Sequence, residues 1–372
     1  MRKQTTRLTA ALTAAMLLVF AGCSNSGTTQ TSGSTSAPAD TTTEDTEAPV
    51  DTGDTTEASE ADEDNAVDAE TGEDVVTGEL TRAVNVAALK GPTAMGMIKL
   101  MDDSAEDTRY NFEIFAAPDE LTPLIIKGDV DIACIPANLA SVLYNKTEGK
   151  VDVLAINTLG VLYIVENGGE TIASFDDLKG KTIYASGQGS TPEYALNYLL
   201  SQNGIADDVN IEWKSEHAEC VTALTEDPGS VALLPQPFVT TAMMKNEGIR
   251  VALDLTKEWD KLDNGSSLIT GVVVGRKEFI EDNEAFLKEF LDGYKASVDY
   301  VNSDTDGAAA LIGKYDIVPE AVAKKALPAC NITFISGEEM KTKLSGYLQV
   351  LSDSDPKAVG GQLPADDFYY VG

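Results

Sequence analysis

From Arg82 onward, short apolar runs of strand length alternate with helical patterns, and that alternation restricts the fold more than any other feature of the chain. Ala83–Leu89 reads as a buried strand that runs through Lys90-Gly91-Pro92-Thr93 into a helical pattern from Ala94 to Met101. Phe112–Phe115 alternates as a strand, Asp119–Lys127 as a short helix, and Val130–Ile135 as another strand. Pro136-Ala137-Asn138 opens a helix through Tyr144, and Val151–Asn157 and Val161–Glu166 are two further strands. The same rhythm recurs in Thr182–Ala185, Glu193–Gln202, Ile211–Trp213, Glu219–Leu224, Ser230–Leu234, a helix from Pro237 to Lys245, and Arg250–Asp254. One more strand, Leu268–Val274, precedes a remainder that reads as helical: 278–302, 305–314, 319–326 and 337–351. Strands alternating with helices imply an α/β fold with parallel sheets covered by helices. Ligands of such sheets bind beyond the carboxyl ends of the strands, where helix N-termini converge.

The first 80 residues follow different rules. Arg2, Lys3 and Arg7 precede an apolar run, Ala10–Ala21, which gives the charged and apolar regions of an export signal over residues 1–22. The run falls short of the about 20 residues that span a bilayer. Residues 24–80 hold 16 acidic side chains and no basic one, and large apolar residues are nearly absent. Nothing there offsets the entropy of ordering, so the composition predicts a disordered acidic tether over 23–80, with a coil span of roughly 45 Å. A tail for a cationic partner is the alternative reading. The net charge is −34, and the part beyond residue 80 carries 45 acids against 24 bases. Nucleic acid is excluded as a partner, because neutralising phosphates needs clustered Lys and Arg.

Local motifs add a resemblance. Val19-Phe20-Ala21-Gly22-Cys23 resembles the bacterial lipobox, with Val19 where Leu is commonest and Phe20 bulkier than usual. The resemblance implies that Cys23 is acylated, by palmitate or a similar chain, and anchors the protein at the extracytoplasmic face of the cell membrane. Lys90-Gly91-Pro92-Thr93-Ala94-Met95 resembles the first pocket loop of ABC-importer substrate-binding proteins of the nitrate/sulfonate/taurine and thiamine-precursor group. The Gly128-Asp129-Val130-Asp131-Ile132-Ala133 segment and Leu178-Lys179-Gly180-Lys181-Thr182-Ile183 are similar to two further segments of that group. Leu234-Pro235-Gln236-Pro237-Phe238 is similar to a segment that more often reads Glu-Pro, so Gln236 is a departure. The resemblance covers residues 82–365. It implies a two-lobed, periplasmic-binding-protein-like (type II) fold with two crossover strands, lobe one formed by 82–175 plus 268–372 and lobe two by 176–267. The implied function is capture of a small polar solute in the interlobe cleft and delivery to an ABC permease, by a monomer that closes on its ligand like a hinge. A ligand-sensing ectodomain and a vitamin-precursor enzyme on the same fold are the alternatives.

The candidate ligand-binding residues lie in loops that follow strands. Gly187, Gln188, Gly189, Ser190 and Thr191, before Pro192, form a Gly-rich helix start whose N–H groups suit a ligand, or a plain N-cap. Lys90, Gly91, Pro92, Thr93 and Ala94 form the equivalent loop after the first strand. Asn138 is a ligand contact or a helix cap, Asn157 and Thr158 lie near the expected hinge, and Gln236 reaches the cleft or punctuates a Pro-rich turn. Ser266, Ser267 and Thr270 border the second crossover. No Arg occurs in these loops, so a tightly held dianion is not expected, and Lys90 is the one nearby cation. His217, the single histidine, reads as a solvated helix residue beside Glu216 and Glu219. Cys134, Cys220 and Cys330 lack metal-site spacing; they read as small buried hydrophobes, with a Cys220–Cys330 disulfide as the alternative. No catalytic set, phosphate loop or cofactor motif stands out, so neither catalysis nor a cofactor or metal is expected.

Overall fold

The computed structural model describes residues 80–372; the expected signal (1–22), the Cys23 acylation site and the tether up to residue 79 lie outside the described residues. Eleven strands fall into two sheets among the described residues. The chain begins with β1 (Val84–Leu89), α1 (Pro92–Met95), α2 (Ile98–Asp103), β2 (Tyr110–Phe115), α3 (Pro118–Lys127), β3 (Ile132–Pro136), α4 (Ala137–Lys146) and β4 (Val151–Leu159). It then enters the second sheet with β5 (Leu162–Asn167), β6 (Thr182–Ser186), α5 (Thr191–Gln202), β7 (Asn210–Lys214), α6 (His217–Glu226), β8 (Val231–Pro235), α7 (Phe238–Lys245) and β9 (Ile249–Asp254). After α8 (Leu255–Asp260) it returns through β10 (Ile269–Arg276), α9 (Lys277–Asp282), α10 (Glu284–Ser303), α11 (Thr305–Lys314), α12 (Glu320–Ala326), β11 (Ile332–Ile335) and α13 (Gly337–Ser354).

Lobe one holds a six-stranded sheet in the order β11-β4-β10-β3-β1-β2, and lobe two a five-stranded sheet in the order β7-β6-β8-β5-β9. Both are mixed rather than wholly parallel. β1 pairs in parallel with β2 and β3, and β6 with β7 and β8, as βαβ units require. The crossover strands run the other way: β10 is antiparallel to β3 and β4, and β5 to β8 and β9. A strand that returns from the other lobe enters its sheet from the cleft side, which reverses its sense.

One sequence expectation changes here, and two elements are added. β5 belongs to the second sheet, so the sheets divide at Gly160–Val161 and not at residue 175. β11 lies in the gap between the expected helices 319–326 and 337–351, where the sequence suggests no element; at four residues it is too short to show a period, and its pairing with β4 forms only in the folded chain. α8 fills part of the second crossover and starts where Asp254 accepts hydrogen bonds from the Thr256 and Lys257 N–H groups.

The inner strands of lobe one, β1, β3, β4 and β10, are buried on both faces, and β3 reads Ile-Ala-Cys-Ile-Pro for that reason. The hydrophobic-Asp-hydrophobic motif has a structural use. Asp131 is buried and accepts from both Arg82 nitrogens (2.6 and 2.7 Å), from the Asn85 N–H (3.0 Å) and from Arg276 (3.0 Å). Burial alone would push that carboxyl up, but these donors together hold it below the ordinary carboxylate range. The tie joins the chain entering β1 to β3 and β10 at the edge remote from the cleft. Between the lobes, Trp259 of α8 packs on Tyr198 of α5 (4.7 Å between ring centroids) and on Tyr347 of α13 (5.6 Å), so one apolar core runs through both.

Candidate ligand-binding site between the lobes

The carboxyl ends of β1, β3, β6 and β7 face one gap, and the helices that follow them start there. A cavity of about 100 Å³ fills this gap. Lobe one lines it with Leu89, Lys90, Pro92, Thr93, the Ala116–Pro118 start of α3, Pro136 and Thr270. Lobe two contributes Ser186, Gly187, Ser190, Thr191, Pro192 and the Ser215–His217 start of α6. A larger groove, about 750 Å³, is lined by lobe one alone and lies outside the gap. The interlobe cavity is the better candidate, because polar side chains of both lobes converge on it.

Thr270 carries the clearest sign of a missing partner. It sits at the start of β10, 8% exposed, and its Oγ1 is buried with no hydrogen-bond partner. A buried hydroxyl left unpaired costs about 1–3 kcal/mol, so native proteins rarely leave one without a purpose. Opposite it in the cavity wall, Ser186 Oγ and His217 Nδ1 are 2.5 Å apart, and the His217 ring packs on Phe238 at 5.0 Å. His217 is therefore not a solvated helix residue. It opens α6 and is partly buried in the cavity wall, where burial pushes its imidazole down to about 4. At neutral pH it is an uncharged donor and acceptor pair.

Of the residues expected to bind ligand, Lys90, Pro92, Thr93, Gly187, Ser190 and Thr191 line the cavity. Several of their polar atoms are already engaged. The Thr93 hydroxyl donates to Leu89 O at 2.8 Å, and the Ser190 hydroxyl to Gly187 O at 2.7 Å. Lys90 Nζ lies 3.5 Å from Asp316.

Gly91, Ala94, Asn138, Asn157, Thr158, Gln188, Gly189 and Gln236 do not line the cavity, each for an identifiable reason. Asn138 is fully buried and donates to Gly189 O (3.4 Å) and Ala358 O (3.1 Å), so it ties the lobes together. Asn157 lies behind the first loop, donating to Thr93 O at 3.3 Å, and Tyr294 OH lies 3.2 Å from its amide; Thr158 donates to Asn157 Oδ1 at 3.1 Å. Gln236 accepts from the Thr240 N–H and hydroxyl, capping α7. Gln188 is exposed at the loop tip, and the Gly189 N–H is spent on Glu193. Ala94 is fully buried in the apolar core beneath α1, a helix of four residues that the buried Gly91 precedes.

Gly271 explains why this layer is so tight. A Cβ there would lie 2.5 Å from Asn157 Oδ1 and 2.6 Å from Thr93 Cγ2. The residue next to Thr270 must be glycine for Asn157 to reach the loop that Thr93 belongs to. Cys134, Cys220 and Cys330 are all free and buried, so no Cys220–Cys330 disulfide forms. Among the described residues no group of three His, Cys, Asp or Glu side chains has metal-site geometry.

Comparison with known proteins agrees with this architecture. Among solved structures, an ABC transporter from Parabacteroides distasonis is 24% identical with a TM-score of 0.64, over 77% of this chain and 98% of that one. The periplasmic aliphatic sulphonate binding protein SsuA from Escherichia coli is 17% identical with a TM-score of 0.62, over 78% and 92%. The ligand binding component of an ABC-type import system from Staphylococcus aureus, with zinc bound, is 15% identical with a TM-score of 0.62, over 78% and 96%. At these identities the likeness is one of fold, the two-lobed periplasmic-binding-protein type. No curated protein sequence matches the chain. A family model described as NMT1/THI5 like matches residues 112–308, just over half of the chain, and the protein belongs to that NMT1/THI5-like family.

Proposed function

We propose that this protein is the solute-binding component of an ABC-type import system, capturing a small polar molecule between its lobes and delivering it to a membrane permease. The observation that carries this reading is the unpaired Thr270 hydroxyl, buried in a cavity to which both lobes contribute. A cavity at the strand ends of a hinged fold is where such proteins close on ligand. In the same reading, acylated Cys23 and the acidic tether hold the folded part, as a monomer, at the extracytoplasmic face. Thr93, Gly187, Ser190 and Thr191 contact the solute alongside Thr270 and His217.

The test uses the full chain in detergent, incubated with a metabolite extract and washed, with bound compounds identified by mass spectrometry. One compound per chain is expected, with compaction in small-angle scattering on its addition and loss of binding in Thr270→Val. A chain that retains nothing, or a Thr270→Val variant that retains as much as the parent, refutes the reading.

The 2.5 Å contact between Ser186 Oγ and His217 Nδ1 favours a second reading, an enzyme with a serine nucleophile. An imidazole held near 4 is a weak general base at neutral pH, and this argues for binding instead. Turnover of p-nitrophenyl acetate that disappears in Ser186→Ala would favour the enzyme.

A further inference from the structure

Three aromatic rings meet at the seam between the lobes: Tyr198 of α5, Trp259 of α8 and Tyr347 of α13. Buried Tyr and Trp ordinarily find a partner for the polar atom of the ring. Two of these three do. Trp259 Nε1 donates to Ser266 Oγ at 3.0 Å, and the Tyr198 hydroxyl accepts from Asn264 Nδ2 at 3.1 Å. The Tyr347 hydroxyl has no partner, although the residue is fully buried.

The neighbours of Tyr347 include groups on the other side of the seam. Its ring packs on Trp259, and the preceding Gly346 faces the second crossover, where a Cβ would lie 3.8 Å from Ser266 Cβ. Burial pushes the phenol up and the Thr191 side chain of lobe two opposes this, so Thr191 is a close neighbour. Thr191 directs its own proton elsewhere, to Asn138 Oδ1 at 3.2 Å. A buried hydroxyl without a partner is a net cost to the arrangement that buries it. While α13 lies against α5 and α8, the Tyr347 hydroxyl bears that cost, and separating them returns it to water. The seam thus holds one side chain that favours contact between the lobes, Asn138, and one that opposes it.

We infer that the Tyr347 hydroxyl is a counterweight in the seam, which keeps the lobes of the unloaded protein apart for part of the time and so sets how tightly they close on solute. The inference rests on the proposed interlobe binding and adds its energetic control. A protein whose closed state is only fractionally populated binds more weakly by that fraction, and a solute shifts the balance only by its own preference for the closed state. A carrier that must give its solute up gains from such a limit on closure.

The test compares the full chain with its Tyr347→Phe variant, which removes one hydroxyl and keeps the ring. Both are measured without solute, by small-angle neutron scattering in contrast-matched detergent, and then unfolded in urea. The variant is expected to have the smaller radius of gyration, with the ratio of closed to open molecules raised about tenfold, and an unfolding midpoint no lower than the parent's. An unchanged or larger radius overturns the inference, even if the midpoint rises, because the hydroxyl then acts within the folded state without reference to closure. A lower midpoint also overturns it, since the hydroxyl then has a partner worth keeping. The scattering uses no solute, so the two readings fail separately. A chain that retains no compound from the metabolite extract defeats the binding reading, whereas unchanged scattering in a chain that does retain one defeats the role of Tyr347 alone.

Discussion

The Thr191 hydroxyl, at the first residue of α5 in lobe two, donates to the Asn138 side-chain oxygen of α4 in lobe one at 3.2 Å, with both residues fully buried. The Asn138 amide in turn donates to Gly189 O of lobe two and to Ala358 O of lobe one. One side chain thus holds the Gly-rich loop of lobe two against lobe one, behind the cavity and not in it.

Asn138→Ala removes both interlobe contacts and leaves buried partners unpaired. We expect closure to weaken by about 1–2 kcal/mol, and solute affinity to fall about tenfold. Small-angle scattering should show a larger radius of gyration at the same solute concentration. A variant with a lower melting temperature but unchanged affinity would mean that Asn138 only supports its own lobe.

Gly271→Ala forces a methyl group against Asn157 Oδ1 and Thr93 Cγ2. These neighbours are themselves buried, so the clash has little room to relax. We expect a loss of about 2 kcal/mol in urea unfolding and a displaced first pocket loop, hence weaker binding as well. Unchanged stability and affinity together would show that the layer yields freely.

Burial pushes His217 down to about 4 in the folded protein, below its ordinary value near 6.5. Over that window the unfolded chain binds the proton more strongly. The His217 contribution to stability is therefore complete above pH 6.5 and is lost as pH falls toward 4. The ring is partly exposed, which keeps the effect to about 1 kcal/mol. His217→Gln should remove that acid-side loss in urea denaturation between pH 4.5 and 7. An identical pH profile in the variant would contradict the burial argument.

Asp152 in β4 works in the opposite direction. Burial pushes its carboxyl up to about 6, Lys277 at 3.7 Å only partly opposes this, and Oδ1 has no hydrogen-bond partner. A folded-state value above the unfolded one means that stability falls as pH rises from about 4 to 6 and stays lower above. Asp152→Asn should stabilise the protein by about 1–2 kcal/mol at pH 7.5 and have little effect near pH 4. In the parent the Asp152 and His217 contributions offset each other between pH 4 and 6, so the single variants should show opposite slopes. Equal slopes in the two variants would refute the pair of assignments.

Much of the site was legible from one rule, that ligands meet the carboxyl ends of strands. Applied to β1 and β6 it points to the Lys90 and Gly187 loops, which do line the cavity. Applied with equal rigour to β2 and β7 it would have pointed to Ala116–Pro118 and Ser215–His217 as well. His217 escaped because its neighbours Glu216 and Glu219 suggest a solvated face, whereas the helix start turns the ring inward and Glu219 caps the Ser215 N–H. Thr270 was placed at the crossover, but its lack of a partner is visible only once every neighbour is in place.

The residues alone determined the alternation of strands and helices, the acidic balance, the absence of arginine from the pocket loops and the motifs that lead into each lobe. All of these depend on neighbours within a few positions, through periodicity, capping and composition. The folded chain alone decided the sense of the crossover strands, the lobe to which β5 belongs, and which polar atoms face the cavity and which face each other. The reason is distance along the chain. Asn138 finds partners 51, 53 and 220 residues away, and a side chain of one type becomes a lobe tie or a ligand contact according to which remote backbone reaches it first.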